Sequence, residues 1–154
     1  MRKHILIIAT VLLLFCCFTR CKKDDVSLSK DSLLNIVLYN QPLETIQKYI
    51  QGKWKLQYTY GGLSTHKYIE AHNSYMILSP EHITIGNDSA GVIVDTSISW
   101  VKTDVGSNDF TYLLSYSWSG YLWPENEIIN QIKNDTLIIR DYVSDGYSYY
   151  YTRY

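Results

Sequence analysis

No cysteine occurs after Cys21, and the three present, Cys16, Cys17 and Cys21, crowd into the first 21 residues. The body of the chain therefore has no disulfide framework. Charge is sparse and nearly balanced, a formal −1 with 19% charged residues, which favours neither nucleic-acid binding nor wholesale disorder. No nucleophile elbow, Gly-rich phosphate loop or paired-cysteine zinc motif is present. Ala and Glu are few. What is abundant is aromatic: fifteen tyrosines, four tryptophans and three phenylalanines, a bias that points to sheet rather than helix. At 154 residues there is room for one domain.

Arg2 and Lys3 precede an apolar stretch from Ile5 to Phe18, broken only by Thr10. Fourteen residues fall short of the roughly 20 that a membrane-spanning helix needs, so the basic start and short apolar run read as a secretory signal. An uncleaved membrane anchor is the alternative. Together with Cys21 this stretch resembles a bacterial lipoprotein precursor, although Arg20 stands where that family has a small residue. The resemblance implies a signal peptide over 1–20 and lipidation of Cys21. The charged run Lys22-Lys23-Asp24-Asp25 resembles the export signal of lipoproteins sent to the outer membrane or cell surface in Gram-negative bacteria. It also serves as a hydrated linker. Loss of residues 1–20 removes Arg2, Lys3 and Arg20, leaving a formal −4. The membrane is then a partner through acyl chains rather than through charge, and stable anchoring takes more than one chain.

Residues 21–41 are read as lipidated tether and linker; the apolar patch from Leu33 to Leu38 fits a short helix or an extended segment equally well. Pro42–Gln51 reads as a short amphipathic helix. Pro42 suits its first position, Glu44 meets the positive end of the dipole, and Leu43, Ile46, Tyr49 and Ile50 share one face. Gly52 is its expected C-terminal cap. The most clearly patterned stretch follows at once. From Gly52 to Tyr60, Trp54, Leu56, Tyr58 and Tyr60 alternate with Lys53, Lys55, Gln57 and Thr59, predicting one strand with those four residues turned inward.

Further strands are expected at Ser74–Leu78, His82–Ile85, Val92–Val94, Ser97–Lys102 and Tyr112–Trp118. A hairpin about Asn134-Asp135 joins Glu127–Lys133 to Thr136–Tyr142, with a helical turn at Ile128-Ile129 as the alternative. Tyr147–Tyr154 completes the set. Residues 66–72 are loop or irregular strand. Connections this short make every pairing antiparallel. The fold class is all-β, a single up-and-down barrel over 42–154 with one short helix; a sandwich is the next choice.

Gly52-Lys53-Trp54, preceded by a helix and followed by a meander of hairpins, resembles the opening of a lipocalin-type barrel. The ending from Asp145-Gly146 to Arg153 is similar to that of lipocalin-like lipoproteins of Gram-negative bacteria. The resemblance implies that Trp54 closes one end of the barrel beneath a basic residue of the last strand, Arg153, with Arg140 as the alternative.

His66, Glu70 and His72 share a face if extended, but their spacing is less ordered than a zinc site requires. No metal and no cofactor are expected. Asp141 with Asp145, and Glu125 with Glu127, flank turns and read as solvent-facing, so no catalytic residue is assigned and the chain is read as non-enzymatic. The tyrosines are read first as barrel filling. Trp118, Tyr121 and Trp123, around the Gly120–Pro124 loop, form the candidate aromatic binding patch. Three tripeptides beginning at Asp31, Asp88 and Asp135 resemble O-glycosylation acceptors, but two of them coincide with turns. The expected role is binding of a small apolar or amphipathic ligand. The alternative is a surface interaction module for glycan or protein with a filled barrel. An interior cavity of about 300 Å³ or more marks the first, a filled core with an exposed aromatic patch the second, and an enzyme would show a cleft with a perturbed carboxylate or histidine.

Overall fold

The computed structural model describes residues 33–62, 67–70, 73–106, 109–118 and 125–154, with the backbone alone described over 67–70. The signal segment, Cys21, His66, His72, Tyr121 and Trp123 lie outside the described residues. Among the described residues one helix, α1 (Leu43–Ile50), accompanies ten strands. In chain order these are β1 (Ile36–Val37), β2 (Gly52–Gly61), β3 (Lys67–Glu70), β4 (Ser74–Leu78), β5 (His82–Asn87), β6 (Gly91–Gly106), β7 (Asp109–Tyr116), β8 (Glu125–Lys133), β9 (Thr136–Asp141) and β10 (Tyr147–Arg153).

The strands close on themselves. From β2 the order runs through β4, β5, β6, β7, β8, β9 and β10 back to β2, every neighbour antiparallel. This is an eight-stranded up-and-down barrel of lipocalin-like type, and closure leaves no edge to template aggregation. The stretch read as loop or irregular strand is β3, which continues along the second half of β2 where β4 leaves off. Asn134 and Asp135 both take positive φ, 50° and 58°, giving the two-residue turn that matches strand twist. Ile128 and Ile129 are strand residues, both buried.

Extra residues interrupt the regular register of several strands. In β2, Tyr58 pairs with Tyr150 but Leu56 pairs with Tyr151, so Gln57 is a bulge. One extra residue turns every later side chain to the other face. Tyr58 and Tyr60, expected beside Trp54 in the interior, lie on the outer face instead. Tyr58 stacks on Tyr150 there, with ring centres 4.2 Å apart.

In β6 the bulge falls at Ile93, since Ile85 pairs with Val94 and Gly86 with Val92. The two strands expected here are one of sixteen residues. Asp95 does not break it, because its outward carboxylate accepts from Thr84 Oγ1 at 2.7 Å with His82 Nε2 at 2.8 Å. These hydrogen bonds, His82 first, hold the Asp95 carboxyl below its usual range. Another bulge, at Asn130 of β8, aims a carbonyl that accepts from the backbone N–H groups of Leu38 and Tyr39, both at 2.9 Å.

That contact fastens the lead-in. Asp135 Oδ1 also accepts from the Leu34 N–H at 2.8 Å, and Asn35 Oδ1 from the Asn134 N–H at 3.1 Å. Residues 33–41, grouped by composition with the tether, are thus strapped to the barrel, and Leu38 is fully buried.

The helix runs one residue shorter at each end than its pattern predicts. Pro42 is extended and its carbonyl accepts from Thr45 and Ile46, while Gln51 leaves the helix and Gly52 opens β2 with φ +120°. Gly52 is therefore a strand residue and not the cap. Ile46 and Ile50 are fully buried against Trp54, Met76, Ile83, Leu114, Ile129, Leu137 and Ile139. Each such side chain contributes about 1.5–3 kcal/mol by leaving water. This half of the barrel is filled. Among the described residues no helix is long and apolar enough to cross a membrane.

Candidate functional site

At the filled end, Trp54 is the floor. Its indole N–H donates to the Ile50 carbonyl at 2.6 Å, tying the ring to the last turn of α1. Arg153, its direct partner across β10, sets its guanidinium carbon 4.5 Å from the ring centre. The guanidinium also donates to the Gln51 and Tyr49 carbonyls, at 3.1 and 3.0 Å. It thus satisfies carbonyls that the end of a helix leaves without partners. Gly52 beside it takes φ +120°, which strains any side chain, and a Cβ there would stand 3.1 Å from Arg153 Nη1. Arg140 is exposed on the outer face. These contacts close the barrel and expose no chemistry.

The other end is open inside. One inward position along from Trp54 and Arg153 come Leu56 and Tyr151, and above them lies a cavity of about 270 Å³. Leu56, Ile85, Ile93 and Val94 supply its aliphatic wall. Tyr116, Trp118, Tyr149 and Tyr151 supply the aromatic one, and Ser74, Glu125 and Glu127 its polar atoms. Tyrosines therefore do not fill this half of the barrel. They line a cup.

Glu127 is the group that sequence reasoning missed. It stands opposite Leu114 on the inward face of β8 and is nine-tenths buried. The Tyr116 hydroxyl donates to its Oε1 at 3.2 Å; among the described residues Oε2 has no hydrogen-bond partner. Burial pushes the carboxyl up to about 8; the Tyr116 hydrogen bond opposes this, and Asp141 and Glu125 add to it. It is mostly protonated at neutral pH. Burial and Asp141 also push up Glu125. The tyrosines Tyr116, Tyr149 and Tyr151 are all pushed up by burial first and then by these acids.

The expectation that Glu125 and Glu127 face solvent is thus corrected. In the local pattern Glu125, Glu127 and Ile129 alternate with Asn126, Ile128 and Asn130. Each set mixes polar and apolar residues, so neither is marked as the inner one.

Of the aromatic patch, Trp118 is half-buried in the cup wall rather than displayed on the surface, and Tyr121 and Trp123 are outside the described residues. Tyr147 and Tyr154 are exposed; the Tyr154 ring lies 3.6 Å from Lys53 Nζ. Among the described residues no group of three His, Cys, Asp or Glu side chains could hold a metal ion. A second hollow, about 390 Å³, lies against the outward Ile128 and Arg140 and the 142–144 segment, outside the barrel. Compared with known proteins, the chain matches no family model, no curated protein and no solved structure.

Proposed function

We propose that this chain is an exported lipoprotein, anchored through Cys21 at the outer membrane or cell surface, whose lipocalin-like barrel binds a small amphipathic ligand in the cup. The observation that carries the reading is the contrast between the two halves of one barrel. Below Leu56 the interior is packed with fully buried side chains, and above it aromatic and aliphatic walls enclose about 270 Å³ around one buried carboxyl. That is just below the range of ligand cavities, roughly 300–1,000 Å³, and shares their character of apolar walls with few polar groups. A space of this size suits a ligand of modest bulk. Native mass spectrometry of the chain purified from its own host tests it. A retained small molecule, lost when Leu56→Trp fills the cup, is the expected result; a protein that carries nothing and takes up nothing from a lipid and metabolite extract sinks the reading.

Glu127 also meets the criterion set for an enzyme, a perturbed carboxylate in a cavity, and a carboxyl protonated at neutral pH is a competent general acid. The other acid in the cup, Glu125, stands beside Glu127 on the same strand rather than across a cleft from it, and among the described residues no histidine, cysteine or lysine lines the cup. Binding is therefore the better reading.

A further inference from the structure

We infer that the cup selects an organic cation, an amine or quaternary ammonium on a small apolar body, with the cationic head at Glu127. The inference rests on the ligand-binding reading above and narrows it. Three features of the cup point to positive charge. Glu127 is nine-tenths buried with one oxygen held by Tyr116 and the other, among the described residues, unpartnered at the cavity. That oxygen is not sealed from the cavity, so it can face the charge of a bound ligand.

Carboxyls also converge from two strands, Glu125 and Glu127 of β8 and Asp141 of β9, whose Oδ2 is anchored by the Tyr147 N–H at 2.8 Å. No lysine, arginine or histidine among the described residues lines the cup to balance them. An anionic ligand would add a like charge to this group, and a wholly apolar one would leave Glu127 as it is. A cation favours ionised Glu127 and is attracted by its neighbours.

Opposite the aliphatic wall stand Tyr116, Trp118, Tyr149 and Tyr151. Aromatic faces are what an alkylammonium recognises, through the ring quadrupole, in the cages that bind choline and methylated lysine. The groups facing Glu127 are Tyr116 from β7, Tyr149 and Tyr151 from β10, Asp141 from β9 and Glu125 from its own strand. Among the described residues all are acidic or neutral.

The test is titration of the full-length chain, in maltoside micelles, with three probes of the same branched shape. These are choline, its uncharged carbon analogue 3,3-dimethyl-1-butanol, and 3,3-dimethylbutanoate, each followed by the ring signals of the cup tyrosines and Trp118 against an empty-micelle reference. Choline is expected to bind at least tenfold more tightly than either. Because it carries a fixed charge, its Kd should fall about tenfold per pH unit from 6 towards 8, as Glu127 gives up its proton, and level off above. Glu127→Gln should abolish the slope; should that variant fold poorly, the pH series on the unaltered chain stands alone. Equal or tighter binding of the alcohol or the acid, or a choline Kd indifferent to pH, overturns the cation assignment. If no probe binds but protein from the host retains a ligand, the charge class alone is lost. If no probe binds and that protein is empty, the binding reading falls with it.

Discussion

The Arg153 guanidinium carbon lies 4.5 Å from the centre of the Trp54 ring, and the two residues are direct partners across the β2–β10 seam. Arg153 joins three parts of the molecule there: the first barrel strand, the last one, and the end of the helix through the Gln51 and Tyr49 carbonyls. A cation–π contact contributes about 0.5–2 kcal/mol and hydrogen bonds from a charged donor about 1.5–3 each, discounted here because Arg153 is exposed. Arg153→Met is expected to destabilise the fold by about 2–4 kcal/mol in urea unfolding, and Arg153→Lys by nearly as much, since an ammonium cannot span both carbonyls and the ring. An unchanged midpoint for either would remove this contact from the account.

Gly52 permits that arrangement. At φ +120° a side chain is strained, and a Cβ would press on Arg153 Nη1. Gly52→Ala should cost about 1–3 kcal/mol. Combined with Arg153→Met it should cost less than the sum, because the larger part of the clash has gone. Strict additivity in the double-mutant cycle would show that the backbone strain acts alone.

Glu127 makes stability depend on pH in a definite direction. The unfolded chain releases this proton near the ordinary value of 4.5 and the folded chain near 8, so between them the folded state holds more protons. Stability from this group is full below about pH 4.5 and is lost as pH rises through 8, by up to about 1.4 kcal/mol per unit. Glu127→Gln cannot titrate. Its melting temperature should be close to the parent's at pH 5 and clearly higher at pH 8.5. A difference that stays constant across that range would mean the carboxyl is not held in its neutral form by burial.

Cys21 is expected to carry the acyl chains. Cys21→Ser should abolish fatty-acid labelling in a Gram-negative host and leave a larger species that keeps residues 1–20. Cys16→Ser with Cys17→Ser should change neither. Labelling that survives Cys21→Ser would move the anchor elsewhere.

Much of the barrel was legible along the chain. Alternation marked Gly52–Tyr60, Asn134-Asp135 marked the β8–β9 hairpin, and spacing marked Ile46 and Ile50 as the inner face of α1. The lipocalin resemblance implied the pairing of Trp54 with Arg153, with Arg140 as the alternative, and the structure has Arg153 there. The cup was harder to read. Tyr149 and Tyr151 could be placed on one face, but nothing local indicated whether that face was packed or hollow. Glu127 looked like one of many polar residues beside a turn.

Sequence alone determined the helix and most of the strands, though not β1, β3 or the unity of β6, because periodicity, turn chemistry and helix ends are set by neighbours a few residues away. Tertiary structure alone decided which side of each strand faces inward. A strand repeats every two residues, so a single extra one at Gln57, Ile93 or Asn130 re-aims all that follows, and only pairing with the adjacent strand reveals it. The state of Glu127 was decided the same way. Its proton is held by burial and by Asp141 from another strand, and Tyr116, from a third, bonds its Oε1; none of these lies within reach along the chain.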